Sequence, residues 1–266
     1  MQFYNFWVRE KGTLVIEGQV QESKCYGKSN TSLEDAQKDA LHNLQAVQEK
    51  IDGQRGDPDS YEVAIREEII ETIDKKNIIS RNRYGALVLN SENTCFIDID
   101  EPRVSLWKAL FTWRKMNKQE RILAMIEEIA AKDEYHALGF RVYETHSGFR
   151  VIASGRDFPA GSEESESLLK AFNSDWLYVI LCKKQQCYRA RLTPKPVRIK
   201  SKTPRIPFPR TTEEDLAMKE WDQQYREKSA PYSVCRFVKE IGRRNSSQIV
   251  EIHDKYCGVD KNQRLA

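Results

Sequence analysis

The chain has 266 residues, enough to bury one sizeable core. Its 39% hydrophobic and 31% charged content excludes a disordered chain, and no apolar run approaches the length of a membrane span. The net charge is only +3, from 43 basic and 40 acidic residues, so composition alone does not mark a nucleic-acid binder.

The opening residues MQFYNFWVREKG lack a charged-then-apolar leader design, which predicts a cytoplasmic protein without a membrane partner. Phe6 to Val8 and Thr13 to Val20 read as strands, followed by a polar turn around Gly27 to Asn30. Ser32 is a candidate N-cap for a helix carrying Ala36, Ala40, Leu44, Val47 and Ile51 on one face. Gly53 to Asp59 reads as a loop, and a second helix is expected from Glu62 to about Lys75. Ala86 to Leu89 and Thr94 to Asp98 are expected to pair as a hairpin, with Pro102 ending the second strand.

A helical stretch from about Leu106 to Lys132 comes next, with a break expected near Asn117. Phe140 to Glu144 and Phe149 to Ala153 form a second expected hairpin. Ser162 to Phe172 reads as helix, and Trp176 to Cys182 as a short apolar element. The Pro-rich stretch to Arg210 is expected to be extended or looped. Beyond Thr211, two or three helices are expected, with breaks near Pro231 and Gly242. The predicted class is α+β, a central, largely antiparallel sheet with flanking helices and a helical tail. Its expected divisions are 1–78, 79–210 and 211–266, the last offering a surface for a protein partner. The six cysteines (Cys25, Cys95, Cys182, Cys187, Cys235 and Cys257) lack zinc-type C-x2-C spacing and are expected as free buried thiols.

Chemistry is concentrated in three places. Asp98 and Asp100 stand one residue apart at a strand end, so both project to one face. Two like charges there call for a cation, either Mg2+ or Mn2+, or an arginine. Asp175 is the chosen third carboxylate, with Glu144 and Asp157 as competitors. The second hairpin places His146 in its turn and Arg150 in an apolar strand, where a guanidinium needs a phosphate or an aspartate. Lys183 to Arg210 holds ten basic residues and no acidic one. Within it, Arg189 and Arg191 share a strand face and Lys195 and Arg198 continue the charge, a strip suited to a phosphate backbone. Trp176, Tyr178 and Tyr188 offer stacking surfaces, and Arg81 and Arg83 offer further triphosphate contacts.

The order of an apolar D-x-D strand, a helical insertion and a T-x-S-G-aromatic-x-V hairpin resembles the archaeo-eukaryotic primase and primase-polymerase superfamily. The resemblance covers roughly residues 80 to 180. NRYGALVLN, ETHSGFRV and RARLTPKP also look like a bacterial family of uncharacterised proteins. The resemblance implies that Asp98, Asp100 and Asp175 hold Mg2+ or Mn2+ for nucleotidyl transfer. It puts Arg150 where the family's second-motif histidine is expected, with His146 displaced into the turn. The implied partners are nucleic acid and nucleoside triphosphates. Two other readings stay open: a non-catalytic nucleic-acid-binding or assembly protein of the same fold, and a metal-dependent nuclease.

Overall fold

The computed structural model describes residues 1–53, 64–101, 115–244 and 247–266. The chain opens with a long antiparallel hairpin, β1 (Phe6–Ile16) and β2 (Gln19–Ser29). Its two-residue turn is Glu17-Gly18, both at positive φ, the backbone that matches the twist of paired strands. The predicted turn at Gly27 to Asn30 lies instead mostly within β2, whose bare Gly27 lets α1 (Leu33–Ile51) come close. Ser32 caps α1 as its sequence predicts, accepting from Asp35 N.

The expected helix at Glu62 to Lys75 is absent where described: Glu68–Thr72 forms strand β3, antiparallel to β4 (Asn77–Arg81). Its consecutive isoleucines are β-branched and alternate between a half-buried Ile69 and an exposed Ile70, as a pleated strand requires, which outweighs the helical spacing. The predicted boundary at residue 78 therefore falls inside β4. Next come β5 (Leu87–Ser91) and β6 (Phe96–Ile99), which do not pair with each other. β5 lies between β4 and β9 (Tyr188–Arg191), giving one sheet of order β3-β4-β5-β9.

The other four-stranded sheet, of order β11-β7-β8-β6, contains the expected second hairpin, β7 (Gly139–Thr145) and β8 (Phe149–Ser154). Its outer strand β11 (Cys235–Gly242) comes from the tail in which two or three helices are expected. That tail also supplies the short strands β10 (Tyr232–Ser233) and β12 (Arg264–Leu265), joined in parallel. The class is α+β with antiparallel sheets and flanking helices, the pairs divided between two sheets.

Five further helices cover the sheets among the described residues: α2 (Lys118–Ala130), α3 (Glu163–Ala171), α4 (Trp176–Gln185), α5 (Thr212–Ser229) and α6 (Gln248–Cys257). Asn117, the predicted break, is the N-cap of α2 in a complete capping box with Glu120. The part of that stretch before residue 115, and the loop at Gly53 to Asp59 beyond Gly53, lie outside the described residues. One apolar core joins both sheets, from Ile79 and Leu89 to Phe96, Val142 and Val151, and takes in Ile126 and Ile249. Ile249 and Val250 of α6 are in that core, so the apolar face of this helix is covered by its own chain. All six cysteines are free and buried, and no described helix is long and apolar enough to cross a membrane.

Candidate functional site

The edges of the two sheets meet at β6 and β9. The Tyr178 hydroxyl, from α4, clamps them by donating to Phe96 O at 3.0 Å and accepting from Arg189 N at 3.3 Å. Asp98 of β6 faces this seam.

Asp98 is the cross-strand partner of Arg150 in β8. Arg150 Nε donates to Oδ1 at 2.7 Å and Nη2 to Oδ2 at 3.1 Å, a fork that engages both carboxylate oxygens. Arg150 Nη1 donates to Arg191 O at 2.9 Å, so the guanidinium also ties β8 to β9. An arginine in the middle of a buried strand needs such partners, because a desolvated, unpaired charge is costly. Burial works against ionisation of Asp98, but the Arg150 guanidinium outweighs it and holds the carboxyl below its usual range. Burial opposes the charge on Arg150 too, and Asp98 again outweighs it, raising the guanidinium well above its ordinary value.

Asp100 lies just past the end of β6 and is exposed. Asp175 is the N-cap of α4, its Oδ1 accepting from Tyr178 N at 3.0 Å. Asp100 and Asp175 line one cleft of about 670 Å3, together with Glu101, Trp176 and Lys183. The predicted three-carboxylate group of Asp98, Asp100 and Asp175 does not form as a cluster. Among the described residues only Cys235, His253 and Cys257 bring three ligand atoms of His, Cys, Asp or Glu within 4.8 Å of one another. The reasons are local: Asp98 faces Arg150, Asp100 has left the strand, and Asp175 turns toward its own helix. The competing acids are engaged elsewhere, Glu144 with Arg236 at 3.2 Å and Asp157 with Asn93 at 3.0 Å.

The predicted phosphate-binding cations divide into two sets. Arg81 is buried, ion-paired to Asp222 at 2.7 Å and donating to Gly85 O. Arg189 is held by both oxygens of Glu67, at 2.6 and 2.7 Å. These two arginines fasten the β3-β4-β5-β9 sheet to its surroundings and have no charge left uncompensated. Arg83 is exposed, its guanidinium over the Tyr84 ring at 4.8 Å.

The second set is Arg191, Lys195 and Arg198, none of which has a carboxylate at ion-pair distance among the described residues. The exposed His146 lies in their field. Arg198 reaches the hairpin turn, donating from Nη2 to Ser147 Oγ at 2.9 Å. Burial, then the guanidinium groups of Arg150 and Arg198, push Arg191 down to about 10. Lys195 is lowered by burial and by Arg191 and Arg198. His146 is lowered by burial and then by Arg198, Arg191, Arg264 and Lys195. Arg191 Nε is also buried without a hydrogen-bond partner. Burial and neighbouring like charges make the charge on Arg191 and Lys195 more costly, and a phosphate would supply acceptors that offset that cost. The cleft beside them, about 280 Å3, is lined by Asp98, Arg191, Lys195, Tyr84 and Tyr178.

Arg264 escaped the sequence reading. It lies in β12, far along the chain from Arg198, and no local pattern links the two. In comparisons with family models, curated proteins and solved structures, nothing matches this chain.

Proposed function

We propose that the chain is a non-catalytic nucleic-acid-binding protein that grips phosphate groups at the seam between its two sheets. The observation that carries this reading is the contrast between the two sets of cations. Arg81 and Arg189 are matched by carboxylates, whereas Arg191, Lys195, Arg198 and His146 converge on one seam without one at pairing distance among the described residues. Tyr84, 47% exposed at the same cleft, offers a face on which a base stacks. The resemblance to primase-polymerases supports a polynucleotide or nucleotide as the source of the phosphates.

The test is fluorescence anisotropy of a labelled single-stranded oligonucleotide with the chain and its Arg191→Gln/Lys195→Ala/Arg198→Ala variant. Saturable binding that weakens at least about 100-fold in the variant is expected, on the order of 1 kcal/mol per lost charge-assisted contact. Equal affinity for the two proteins would remove the assignment.

Nucleotidyl transfer with Mg2+ or Mn2+ is the second reading, favoured by the cleft that Asp100 and Asp175 share. The carboxylates as arranged do not fit a metal centre of that kind. Asp98 is engaged through both oxygens by Arg150, and one oxygen of Asp175 caps α4. The nuclease reading needs the same centre and meets the same obstacle. Calorimetric titration with Mn2+ separates the readings. The binding protein gives no saturable heat, and a transferase gives heat that disappears in Asp98→Ala/Asp100→Ala.

A further inference from the structure

On the other side of Arg150 from Asp98 lies a buried group that the phosphate-binding reading does not use. Cys235 opens β11, while His253 and Cys257 stand one helical turn apart on α6, so their side chains share a face. All three are buried, and their ligand atoms lie within 4.8 Å of one another. Cys235 Sγ is 4.0 Å from His253 Nε2. Around a tetrahedral zinc ion, with Zn–S near 2.3 Å and Zn–N near 2.05 Å, that separation is about 3.6 Å. A movement of a few tenths of an ångström closes the difference.

The histidine is already oriented for such a role. His253 Nδ1 is 2.9 Å from Asp254 Oδ1, leaving Nε2 for the side of Cys235 Sγ. Asp254 is itself fixed by the Tyr143 hydroxyl at 2.6 Å and by Arg141 Nη2 at 2.8 Å. A carboxylate behind a histidine, held in turn by further donors, is the arrangement that sets the tautomer and orientation of a metal-ligating imidazole.

We propose that Cys235, His253 and Cys257 form a zinc-binding site that joins α6 to the edge of the β11-β7-β8-β6 sheet. Two thiolates neutralise Zn2+, and the adjoining Arg150–Asp98 pair is neutral as well, so the ion adds no net charge to the buried region. Arg150 Nη1 lies 3.8 Å from Cys235 Sγ and 3.4 Å from Nε2. When zinc enters, it gives up the contact to Nε2 and keeps its bonds to Asp98 and Arg191 O. A zinc-bound sulfur still accepts from such an N–H. Arg191 O, 3.7 Å from Cys257 Sγ, borders the same space and is an oxygen at hand for the fourth position. Because the site is enclosed, the ion is taken up as the chain folds.

The experiment measures zinc in the full chain, purified without chelator from zinc-supplemented cells, by inductively coupled plasma mass spectrometry. A parallel sample, refolded with Co2+, is read by absorption spectroscopy. The expected result is about one zinc per chain, a thiolate-to-cobalt charge-transfer band and the visible bands of tetrahedral Co2+. Cys235→Ser and Cys257→Ser should each lower the zinc content to about a tenth of wild type, while Cys182→Ser, a buried thiol outside the group, keeps it. If the serine variants fail to fold, the wild-type zinc content and cobalt spectrum decide by themselves. No zinc and no thiolate band in the wild type, or full zinc content in folded forms of both serine variants, would overturn the proposal. Zinc content and the cobalt spectrum do not read oligonucleotide binding, so failure of this claim is distinguishable from failure of the phosphate-binding one.

Discussion

Arg150 occupies a position in β8 where nearly any charged side chain would be excluded, and Asp98 is what makes it tolerable. Only 3% of the Arg150 side chain is exposed, against 41% for Asp98. Asp98→Asn therefore leaves a buried cation with a weaker partner. Breaking a fully buried pair costs about 3–5 kcal/mol, and solvent screening at the half-exposed aspartate reduces this to about 2 kcal/mol. Urea unfolding of the two proteins at pH 7 measures that difference. The folded-state value of Asp98 is depressed, so its contribution is present above the unfolded value of about 3.9 and is lost as pH falls through the lower folded value. The gap between wild type and Asp98→Asn should accordingly be constant above about pH 5 and shrink below it. His146 reports on the cation group by the opposite sign. Its neighbours oppose protonation, so in an NMR titration it should charge below the ordinary imidazole value of about 6.5. Lys195→Ala/Arg198→Ala should move the midpoint upward, and an unchanged midpoint would mean that these cations do not act on it.

Among the elements, the β7–β8 hairpin turn decides where the site lies. Thr145 and Gly148 close it, with Thr145 N donating to Gly148 O at 2.9 Å. A Cβ on Gly148 would stand 2.1 Å from Ile99 O and 3.0 Å from Asp100 Cα. Glycine is therefore required by the close approach of β6, and Gly148→Ala should push the turn away from the Asp98–Asp100 end. A loss of about 2 kcal/mol, read from thermal unfolding, with weakened oligonucleotide binding is expected. That hairpin was legible in the sequence because a polar, glycine-containing turn separates two apolar runs. The Asp98–Arg150 alternative was legible too, since an arginine within FRVIAS demands a partner. Sequence could not show that β5 and β6 belong to different sheets, because adjacent strands are the ordinary case and the long-range pairings β5–β9 and β6–β8 leave no local trace. Glu68 to Thr72 was misread for a different reason: clustered isoleucines satisfy both periods, and only their neighbour β4 settles which applies. Asp175, expected as the third carboxylate, is engaged as a helix cap instead, which follows from Trp176–Gln185 being a helix.

For the molecule as a whole, the net charge of +3 conceals a strongly uneven distribution. The basic run from Lys183 to Arg210 reads in sequence as one continuous strip. In the fold it is sorted, with Arg189 and Arg210 facing carboxylates and Arg191, Lys195 and Arg198 left to the seam between the sheets. That sorting depends on Glu67 and Glu68, more than a hundred residues away in the chain, and so lay beyond any local pattern. Cys235 of β11 and His253 of α6 border Arg150, and Cys257 of α6 approaches Arg191 O, so the last part of the chain adjoins the site. The most direct test of the phosphate-binding claim is the salt dependence of oligonucleotide affinity, measured by anisotropy for the wild type and for Arg191→Gln/Lys195→Ala/Arg198→Ala. Each cation that meets a phosphate of a single strand adds about 0.7 to the slope of log K against log salt, so the triple variant should bind with a slope shallower by about 2. Identical slopes for the two proteins would contradict the account.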